Sequence, residues 1–558
     1  MPLFKRIAPR RSFNIIGVLL TMALLGGCAP RQPGGEIHHY TVGTALAPPA
    51  QQVFIRSLAS SPRTLDPSLS TDVMGFNVLT DLFEGLTQFN ARGQVVPGVA
   101  SHWTVSKNGL RWTFFLRPDA RWSNGAPVTA QDFVYAWQRE VSPDTAAQYA
   151  DSLSMIVNAN AIINGTLPTS ALGVHALGAR TLQVDLVHPT PYLTAALANT
   201  YFDPLYPPTV RRWGLAWTQP PHLISDGAFY LASEVVNGRL ILLKNPWFWD
   251  AGAVRLREEI DYPIKNAASK LDRYLADDLD FADDPAFPPS DIDWLRHALG
   301  SQVHVAPYYG TAYLGMLVHE QPFANRDLRL ALSMALERHV LDGKLGRGLF
   351  LPAYSLMPPL AGYTQQVPAW AHWPRAQRLA EARRLYAAAG YGPGHELRAR
   401  LLYPTQGSAA RHYVEAVTLM WKENLGADVH LWNEQWKVML QDIQYKNAKL
   451  YWSAWIGNYL DPVTFMHQFQ VGYPMNYGDF SYAPFQKLLQ AAQSSNDNAQ
   501  RYRYFEQAER VLGTQMPFIP LYFYTADNLV KPYVTGWHSN LLDVHPAQYI
   551  AILQHTEH

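Results

Sequence analysis

The most regular pattern of apolar and polar positions lies between Trp373 and Trp455, where short apolar runs alternate with longer segments of helical periodicity. The pattern predicts three helices and three strands in alternation: a helix at 374–389, a strand at 397–403, a helix at 409–425, a strand at 427–432, a helix at 434–445 and a strand at 450–455. Strands that are joined through helices pair in parallel, so this region predicts a mostly parallel sheet with helical crossovers.

The third of these strands ends within the sequence YWSAWIGNYLDPVTF, residues 451–465. In open parallel sheets, ligands bind beyond the carboxyl ends of the strands. We therefore expect residues 456–461 at the ligand-binding edge of the sheet.

The pattern of residues 53–140 is different and indicates antiparallel strands joined by tight turns, with one helix predicted over 76–86. Two Asn-Gly dipeptides in this region are typical of hairpin turns, and the run between them is rich in aromatic residues, as strands are. A further helix is expected at 130–140, with Thr129 as its N-cap and Asp132 in its first turn.

Composition narrows the range of functions. The 558 residues suggest roughly three or four domain-sized units. Lys and Arg together number 45, as do Asp and Glu, so the chain lacks the positive charge typical of nucleic-acid-binding proteins. Aromatic residues make up 13% and charged residues only 16%. This balance favours a large core, or a pocket that binds apolar and polar groups together.

Residues 1–28 have the pattern of a secretion signal, with a basic front, a short apolar run and small residues. The final Leu-Gly-Gly-Cys resembles the bacterial lipoprotein signal, in which the cysteine, here Cys28, carries the lipid. A simple cleaved signal with an incidental cysteine is the alternative. The pair Arg10-Arg11 leaves twin-arginine export open beside the general route. Ala29 follows the cysteine and leaves open which membrane holds the anchor.

Cys28 is the only cysteine, so the chain after it can form neither an internal disulfide nor a cysteine-based metal site or nucleophile. Residues 29–52 are rich in Pro, Gly and Ala and lack periodicity, which predicts a tether. His38 and His39 could bind a metal ion, but we interpret them as tether residues.

The sequence lacks the common motifs of catalysis: it has no Gly-x-Ser-x-Gly elbow, no His-Glu-x-x-His motif and no Walker loop. Arg411 and His412 open a predicted helix, where they either face an anion or lie in solvent. We interpret the clustered carboxylates as solvated surface: Asp277, Asp278, Asp280, Asp283 and Asp284. We therefore expect no enzyme, no metal site and no cofactor.

Several segments carry a family resemblance: LDPSLSTDV and the sequence after it up to AWQR (65–139), SDGAFYL (225–231), LKNPWFWD (243–250), PFANRDLRLALSMALER (322–338) and residues 451–465. In number and order they resemble family 5 of the extracellular solute-binding proteins, the peptide-binding components of ABC importers. VSPDTAAQYA and ALGVHAL are most similar to the oligopeptide-binding branch. The resemblance covers about 53–550.

The resemblance implies an α/β fold, a two-lobed periplasmic-binding-protein clamshell of type II with an additional domain in the N-terminal half, which closes by a hinge. After the signal (1–28) and the tether (29–52), it implies a discontinuous lobe I (53–95, 213–305 and 525–558), the additional domain (96–212) and lobe II (306–524).

The resemblance also implies that an extended peptide pairs with protein backbone between the lobes, while its side chains occupy roomy, hydrated pockets. The residues placed against the peptide are Thr71, Asp72, Val73, Met74, Ala454, Trp455, Ile456, Gly457, Asn458, Tyr522 and Tyr524. Core or inter-lobe packing is the alternative role of Trp455 and the two tyrosines. Arg411 and His412 lie near the place where relatives bind the peptide carboxylate.

Position 458 departs from the family pattern. Oligopeptide-binding relatives have an aspartate there that pairs with the α-ammonium of the peptide, whereas Asn458 brings no charge. A charge-assisted hydrogen bond contributes about 1.5–3 kcal/mol, against about 1 kcal/mol for a neutral one. Recognition of a free peptide N-terminus is therefore in question, while backbone pairing is not.

We expect a monomer that captures oligopeptides at the periplasmic or extracytoplasmic face of a bacterial membrane and delivers them to an ABC permease and its ATPase. It would meet the membrane only through the lipid on Cys28 and would bind no nucleic acid. One alternative changes the ligand to cell-wall peptides, N-blocked peptides or a non-peptide solute. Another is an envelope enzyme, chaperone or adhesin without a transport role.

Overall fold

The computed structural model describes residues 37–405 and 408–558. The predicted signal, Cys28 and the first part of the predicted tether lie outside the described residues. Within the described ranges, no helix combines the length and the apolar character that a membrane span requires.

The strands, in chain order, are β1 (Tyr40–Leu46), β2 (Val53–Leu58), β3 (Thr87–Phe89), β4 (Val95–Pro97), β5 (Ala100–Val105), β6 (Arg111–Leu116), β7 (Val174–Gly178), β8 (Thr181–Asp185), β9 (Phe229–Val235), β10 (Arg239–Lys244), β11 (Glu258–Pro263), β12 (Phe281–Ala282), β13 (Val303–Met316), β14 (Phe350–Pro352), β15 (Arg398–Pro404), β16 (Asp428–Glu434), β17 (Leu450–Ile456), β18 (Phe518–Val530), β19 (Val534–Thr535) and β20 (Ala551–Glu557). The α-helices are α1 (Val73–Leu82), α2 (Ala130–Glu140), α3 (Ala159–Ile163), α4 (Leu193–Ala196), α5 (Pro207–Trp213), α6 (Ala267–Leu275), α7 (Ile292–Leu299), α8 (Arg326–Met334), α9 (Arg338–Leu341), α10 (Arg375–Ala388), α11 (Ser408–Leu425), α12 (Trp436–Gln444), α13 (Val463–Met466), α14 (Ala483–Gln493) and α15 (Asn498–Gln515).

The strand–helix alternation predicted before position 456 is confirmed. Strands β15, β16 and β17 lie side by side in the order β16-β15-β17, and both contacts are parallel. Helices α10, α11 and α12 precede these strands in the chain, with ends within two residues of the predicted ones. The carboxyl end of β17 therefore lies at the expected edge of the sheet.

Two long strands, β13 and β18, carry the main sheet from one half of the molecule to the other. Their antiparallel pairing is interrupted between Pro307 and Thr311. On one side of the interruption the sheet continues from β18 through β12 and β2 to β11, β10 and β9. On the other side it continues from β13 through β17 to β15 and β16. The sheet thus has two halves that meet where the long strands lose register.

A separate four-stranded antiparallel sheet has the order β5-β6-β8-β7 and lies within the stretch expected to form the additional domain. Helix α2 begins next to Thr129, as predicted. The Asp132 carboxylate accepts hydrogen bonds from the Thr129 backbone N–H at 2.8 Å and from its hydroxyl at 3.0 Å. This reciprocal cap fixes the start of α2.

The apolar core of the described chain contains three clusters. One large cluster includes the fully buried Trp122, Trp137 and Trp217, and a second surrounds Trp421 where α8, α10 and α11 pack on β15 and β17. A smaller cluster packs α6 and α7 together. The first cluster extends across both halves of the main sheet, since it also includes Tyr313 on β13 and Phe505 on α15, whereas the second covers only the half that contains β15 and β17.

Residues 40–52, predicted to be part of a tether, belong to the folded part of the chain. Strand β1 pairs in antiparallel fashion with the C-terminal strand β20, with Tyr40 opposite Glu557. The buried Gln52 side chain donates to the carbonyls of Ala47 and Ile552 at 2.9 and 2.8 Å. The prediction of a tether over 29–52 is therefore wrong from Tyr40 onward, because the partner strand lies at the far end of the sequence.

His38 also has partners in the folded body. It contacts Glu557 and lies 3.5 Å from Asp277. Lys531 and Tyr40 both donate hydrogen bonds to the same Asp277 carboxylate. A cation of the protein itself therefore already neutralises this carboxylate.

The carboxylates at 277–284 are not a solvated cluster. Asp283 is buried, pairs with Lys270 and accepts a hydrogen bond from Ser57 at 2.7 Å. The Asp280 side chain accepts hydrogen bonds from the Ile55 N–H and the Tyr533 hydroxyl, at 2.7 and 2.8 Å. Asp284 accepts from the N–H of Asp527 on β18 at 3.0 Å. The surface interpretation is wrong for these three residues and holds for the exposed Asp278.

Candidate ligand-binding site

Two adjoining cavities lie beyond the carboxyl end of β17. The strand-end cavity, of about 120 Å³, is lined by 70–73, Phe76, Asn77, Tyr149, 199–201, Tyr308, 456–458, Leu542 and Val544. The aromatic cavity, of about 650 Å³, is lined by several aromatic side chains together with Asp151, His188, Asn458 and His467. Tyr149, Tyr201 and Asn458 line both, so the cavities are two parts of one cleft.

The strand-end cavity brings together the two segments predicted to face a ligand. Residues 71–73 line one wall and residues 456–458 line the other. Trp455 lines the aromatic cavity instead. Met74 packs against the first apolar cluster and Ala454 against the second, so these two side chains support the walls.

Asp72 shapes the first wall by capping helix α1. Its carboxylate accepts a hydrogen bond from the backbone N–H of Gly75 at 2.8 Å and a longer one from that of Arg63 at 3.4 Å. The cap starts the helix at Val73 rather than at the predicted position 76. Asp72 itself has φ −124° and ψ 153°, so it presents extended backbone to the cavity.

Gly457 allows the second wall to approach strand β13. A side-chain carbon added at this glycine would lie 2.5 Å from the ring of Tyr309, which is fully buried. The Gly457 N–H donates to the Tyr309 carbonyl at 2.8 Å. The glycine is therefore required for close packing at this strand end.

Strand β17 keeps one edge open at its carboxyl end. One edge pairs with β13 along the whole strand, from Leu450 opposite Met316 to Ile456 opposite Gly310. On the other edge, the pairing with β15 is confined to the position of Tyr451. In the part of the chain that the structure describes, the open edge of residues 454–456 has no strand partner. An extended ligand can add to such an edge.

A buried ion pair holds the loop that follows β17. The Arg501 guanidinium on α15 donates two hydrogen bonds to Asp461, at 2.8 and 2.5 Å, and both side chains are buried. The guanidinium also lies 4.5 Å from the ring centroid of Tyr192. The Asp461 carboxylate accepts a further hydrogen bond from the N–H of Val463 at 2.9 Å. Asn458 is thus carried on a loop that is fixed at both ends.

Asn458 lies beside Tyr201, within hydrogen-bonding contact of its hydroxyl, and Ser152 contacts the same hydroxyl. Burial raises the pKa of Tyr201, so the phenol is neutral at physiological pH. Asn458 and Tyr201 are therefore a pair of uncharged hydrogen-bonding groups that line both cavities.

Aromatic rings form much of the second cavity. Tyr192 and Tyr459 stack with their centroids 5.6 Å apart and their planes at 10°. Tyr149 and Tyr201 lie at the same centroid distance with their planes at 35°. Such rings offer apolar faces and polar edges to a ligand.

Apart from the tyrosines, two histidines and one carboxylate are the titratable groups that line this cavity among the described residues. Burial lowers the pKa of His188, and it lowers that of His467 to about 4. Both imidazoles are therefore neutral at pH 7. Asp151 is the lining carboxylate, and no lysine or arginine lines the cavity in the described chain.

Comparison with known proteins identifies the family. Residues 94–477 match the model of the bacterial extracellular solute-binding proteins, family 5, middle region, which is more than half of the chain. The chain belongs to this family. It is 36% identical to the periplasmic murein peptide-binding protein MppA of Escherichia coli (strain K12), over 92% of this chain and 95% of that protein. It is 33% identical to the periplasmic oligopeptide-binding protein OppA of the same strain, over 89% and 91% of the two chains.

Solved structures agree with this family assignment. The structure of the Escherichia coli murein tripeptide binding protein MppA matches with a TM-score of 0.80 at 36% identity, and the match covers 92% of this chain and 100% of that chain. The expected fold, a two-lobed type II clamshell with an additional domain, is thereby confirmed. Members of the family 5 model are solute-binding proteins.

Not every residue carried over from the family 5 resemblance lies in the cleft. Tyr522 is buried in the second apolar cluster, with ring centroids 4.2 Å from Phe350 and 4.8 Å from Tyr413. Tyr524 packs beside it at 5.3 Å. Neither tyrosine lines the two cavities described here. The ring contacts of Tyr522 and Tyr524 agree with the alternative role of these tyrosines, core packing.

Arg411 and His412 are also separate from both cavities. Both are exposed near the start of α11, and the Arg411 guanidinium donates to Glu415, one turn later, at 2.8 Å. Within the described residues, the structure therefore gives them surface contacts. Their role as a carboxylate site stays a prediction.

Several cleft residues of this family 5 protein had no signal in the sequence. Tyr149, Asn199 and Tyr201 come from the stretch assigned to the additional domain, and Tyr308 and Leu542 come from strand β13 and the C-terminal region. Each lies far along the chain from the two predicted segments. Only the folded arrangement brings them to the same cavity.

Proposed function

We propose that this protein captures oligopeptides in the cleft between its lobes and delivers them to an ABC permease with its ATPase. The observation that carries the proposal is the open edge of β17 at residues 454–456, whose last residue, Ile456, lines the same cavity as the extended backbone of Asp72. Both walls thus offer backbone groups to an extended chain. The names of the relatives MppA and OppA, a murein peptide-binding and an oligopeptide-binding protein, support a peptide as the ligand.

The peptide adds as a strand between the two walls. Backbone hydrogen bonds are the same for every sequence, so this mode gives affinity without strict side-chain selection. The aromatic cavity next to the strand end has room for a side chain and water. This arrangement needs no catalytic residue, and we propose that the protein is not an enzyme.

Lobe closure occurs at the two long strands. Strands β13 and β18 cross between the halves of the sheet, and their register shifts between Pro307 and Thr311. This position agrees with the predicted lobe boundaries at 305/306 and 524/525, which we retain as a proposal. Closing there moves the wall at 456–458 toward the wall at 71–73.

The protein works outside the cytoplasm as a lipid-anchored monomer. The relatives are periplasmic proteins by name, and the signal pattern ends at Cys28, the only cysteine. A lipid on Cys28 would hold the protein at the membrane surface near its permease. Mass spectrometry of the mature protein from membranes tests this: a diacylated Cys28 is expected, and an unmodified chain cleaved elsewhere would refute it.

Calorimetry with N-methylated peptides tests the binding mode. Trialanine is compared with variants that carry a methyl group on one backbone nitrogen at a time, because the methyl removes one hydrogen-bond donor and leaves the side chains unchanged. At least one position is expected to lose about tenfold in affinity, as one hydrogen bond of about 1.4 kcal/mol would give. Equal affinity of every methylated variant would contradict strand addition.

A second candidate ligand is a cell-wall peptide or another peptide with a blocked N-terminus. Asn458 favours it, because this residue brings no charge to pair with an α-ammonium. The murein peptide-binding relative supports it by name. Calorimetry with matched free-amine and N-acetyl tripeptides separates the candidates. A strong preference for the free amine that is lost in Asn458→Ala would exclude blocked peptides as the main ligand.

A further inference from the structure

Asp151 lines the aromatic cavity without an ion-pair partner. It is half-buried in a short 3₁₀ turn, Ala150–Leu153, and its carboxylate lies beside its own backbone N–H and that of Ser152, which donates to the Tyr149 carbonyl at 2.8 Å. Within residues 37–405 and 408–558, no lysine, arginine or histidine forms an ion pair with it. Its charge is therefore available to a group that enters the cavity.

Aromatic rings surround this carboxylate. Tyr149 and Tyr473 line the same cavity as Asp151. Burial raises the pKa of both phenols, and the charge of Asp151 raises each further. Tyr201 packs against Tyr149 and contacts Ser152, the neighbour of Asp151. A carboxylate among tyrosine rings suits an organic cation, because the carboxylate pairs with the charge and the ring faces attract it.

No cation of the protein competes for this place among the described residues. His188 and His467 line the same cavity but are neutral at pH 7 because burial lowers the pKa of each. The nearby Arg501 is fully engaged by Asp461, with hydrogen bonds of 2.5 and 2.8 Å. A ligand cation would therefore meet an unopposed negative charge in a partly desolvated site.

We infer that Asp151, with Tyr149, Tyr201 and Tyr473, forms a subsite for a cationic group of the ligand, a primary ammonium or a guanidinium. The inference rests on the proposed function, because it takes the ligand to be a peptide in this cleft. A peptide carries such a group either at its N-terminus or on a basic side chain. Asp151 and Asn458 line the same cavity, and Tyr201 contacts both Asn458 and Ser152, the neighbour of Asp151.

The test is calorimetry with a matched set of tripeptides. The set combines a free or N-acetylated terminus with lysine or norleucine at each position, because norleucine keeps most of the length of the lysine side chain and removes its charge. Each peptide is titrated into the wild-type protein, Asp151→Asn and the control Asp144→Asn. Asp144 is an exposed carboxylate of the same segment that lines neither cavity.

We expect the wild type to bind a peptide with the cation about tenfold more tightly than its neutral match. Asp151→Asn should abolish this preference, so that this variant binds charged and neutral peptides alike, and Asp144→Asn should keep it. If affinity falls when the N-terminus is acetylated, the α-ammonium is the bound group. If affinity falls when lysine is replaced by norleucine, the lysine side chain is the bound group. The urea midpoint of Asp151→Asn shows that the variant is folded.

Two results would overturn the inference alone: equal binding of charged and neutral peptides to the wild type, or a preference that survives in Asp151→Asn. In both cases the neutral peptides still bind, so peptide capture stands. Failure of every peptide to bind the wild type would instead refute the proposed function, and this inference with it.

Discussion

Asn458→Asp places at this position the carboxylate that the family resemblance implies for oligopeptide-binding relatives. The new side chain is close in shape to the amide, and the Tyr201 hydroxyl beside it can donate to a carboxylate oxygen. The fixed loop between Gly457 and Asp461 should hold it in the same place. The substitution therefore changes charge with little change of structure.

The expected gain follows from the two kinds of hydrogen bond. A charge-assisted bond contributes about 1.5–3 kcal/mol and a neutral one about 1 kcal/mol, so a free-amine peptide should gain about 1 kcal/mol. That energy is about fivefold in Kd. The N-acetyl peptide should gain nothing, because it has no ammonium. Asp151 and Asp72 line the same cleft, and their charges oppose ionisation of a third carboxylate. The gain in binding free energy should therefore stay at about 1 kcal/mol.

The assay is calorimetry with trialanine and N-acetyl trialanine at low and high salt. The gain of Asn458→Asp for the free amine should shrink at high salt, since ions screen a partly exposed pair. Asn124→Asp is the matched control, because Asn124 is exposed in a turn outside both cavities. Equal improvement for both peptides, or the same change in the control, would contradict the placement of the peptide N-terminus beside position 458 that the family resemblance implies.

Three further changes test the structure around the cleft. Arg501→Met leaves the buried Asp461 carboxylate without its partner, and urea unfolding should show a loss of about 3–5 kcal/mol. Gly457→Ala forces the buried Tyr309 ring to move, and should cost about 1–3 kcal/mol of stability and weaken peptide binding in calorimetry. Burial raises the pKa of Glu84 to about 8, so the folded chain keeps a proton that the unfolded chain loses. Stability should therefore fall by on the order of 4 kcal/mol as the pH rises from about 4.5 to 8, and Glu84→Gln should remove most of that fall in urea titrations.

Each of these predictions has a control or a contradicting result. Arg503→Met removes an exposed arginine of the same helix, and a loss equal to that of Arg501→Met would contradict the role of the ion pair. Unchanged stability of Gly457→Ala would contradict the close packing of the strand end. Glu84→Gln keeps an acceptor for the Trp249 indole N–H, now 2.7 Å from the carboxylate. An unchanged pH slope in this variant would assign the slope to other groups.

Elements specified by local sequence were predictable. In the alternation that ends in β17, the apolar periodicity, the helix ends and the glycines that end helices are all specified by residues close together in the chain. The predicted bounds of these helices and strands therefore agree with the structure. The Thr129 cap is likewise local, since Asp132 lies one helical turn away. The family resemblance added the first wall of the cleft, residues 71–73, which no periodicity indicates.

Elements specified by distant partners were not predictable from the sequence. Strand β1 looked like a tether because its partner is β20 at the other end of the chain. Asp283 looked solvated because Ser57, which binds it, lies on the distant strand β2. Tyr149 and Tyr201 enter the cleft from a different part of the chain than the segments they meet. A single sequence shows no sign of such contacts.

The central claim, that the cleft captures peptides of varied sequence, is tested most directly by native mass spectrometry of the protein purified from its own host. Ligands released from the intact protein are then sequenced by tandem mass spectrometry. The account predicts short peptides of mixed sequence in one-to-one complexes with the monomer. Recovery of a single non-peptide molecule, or of no ligand from protein that is folded and also fails to bind added peptides, would contradict it.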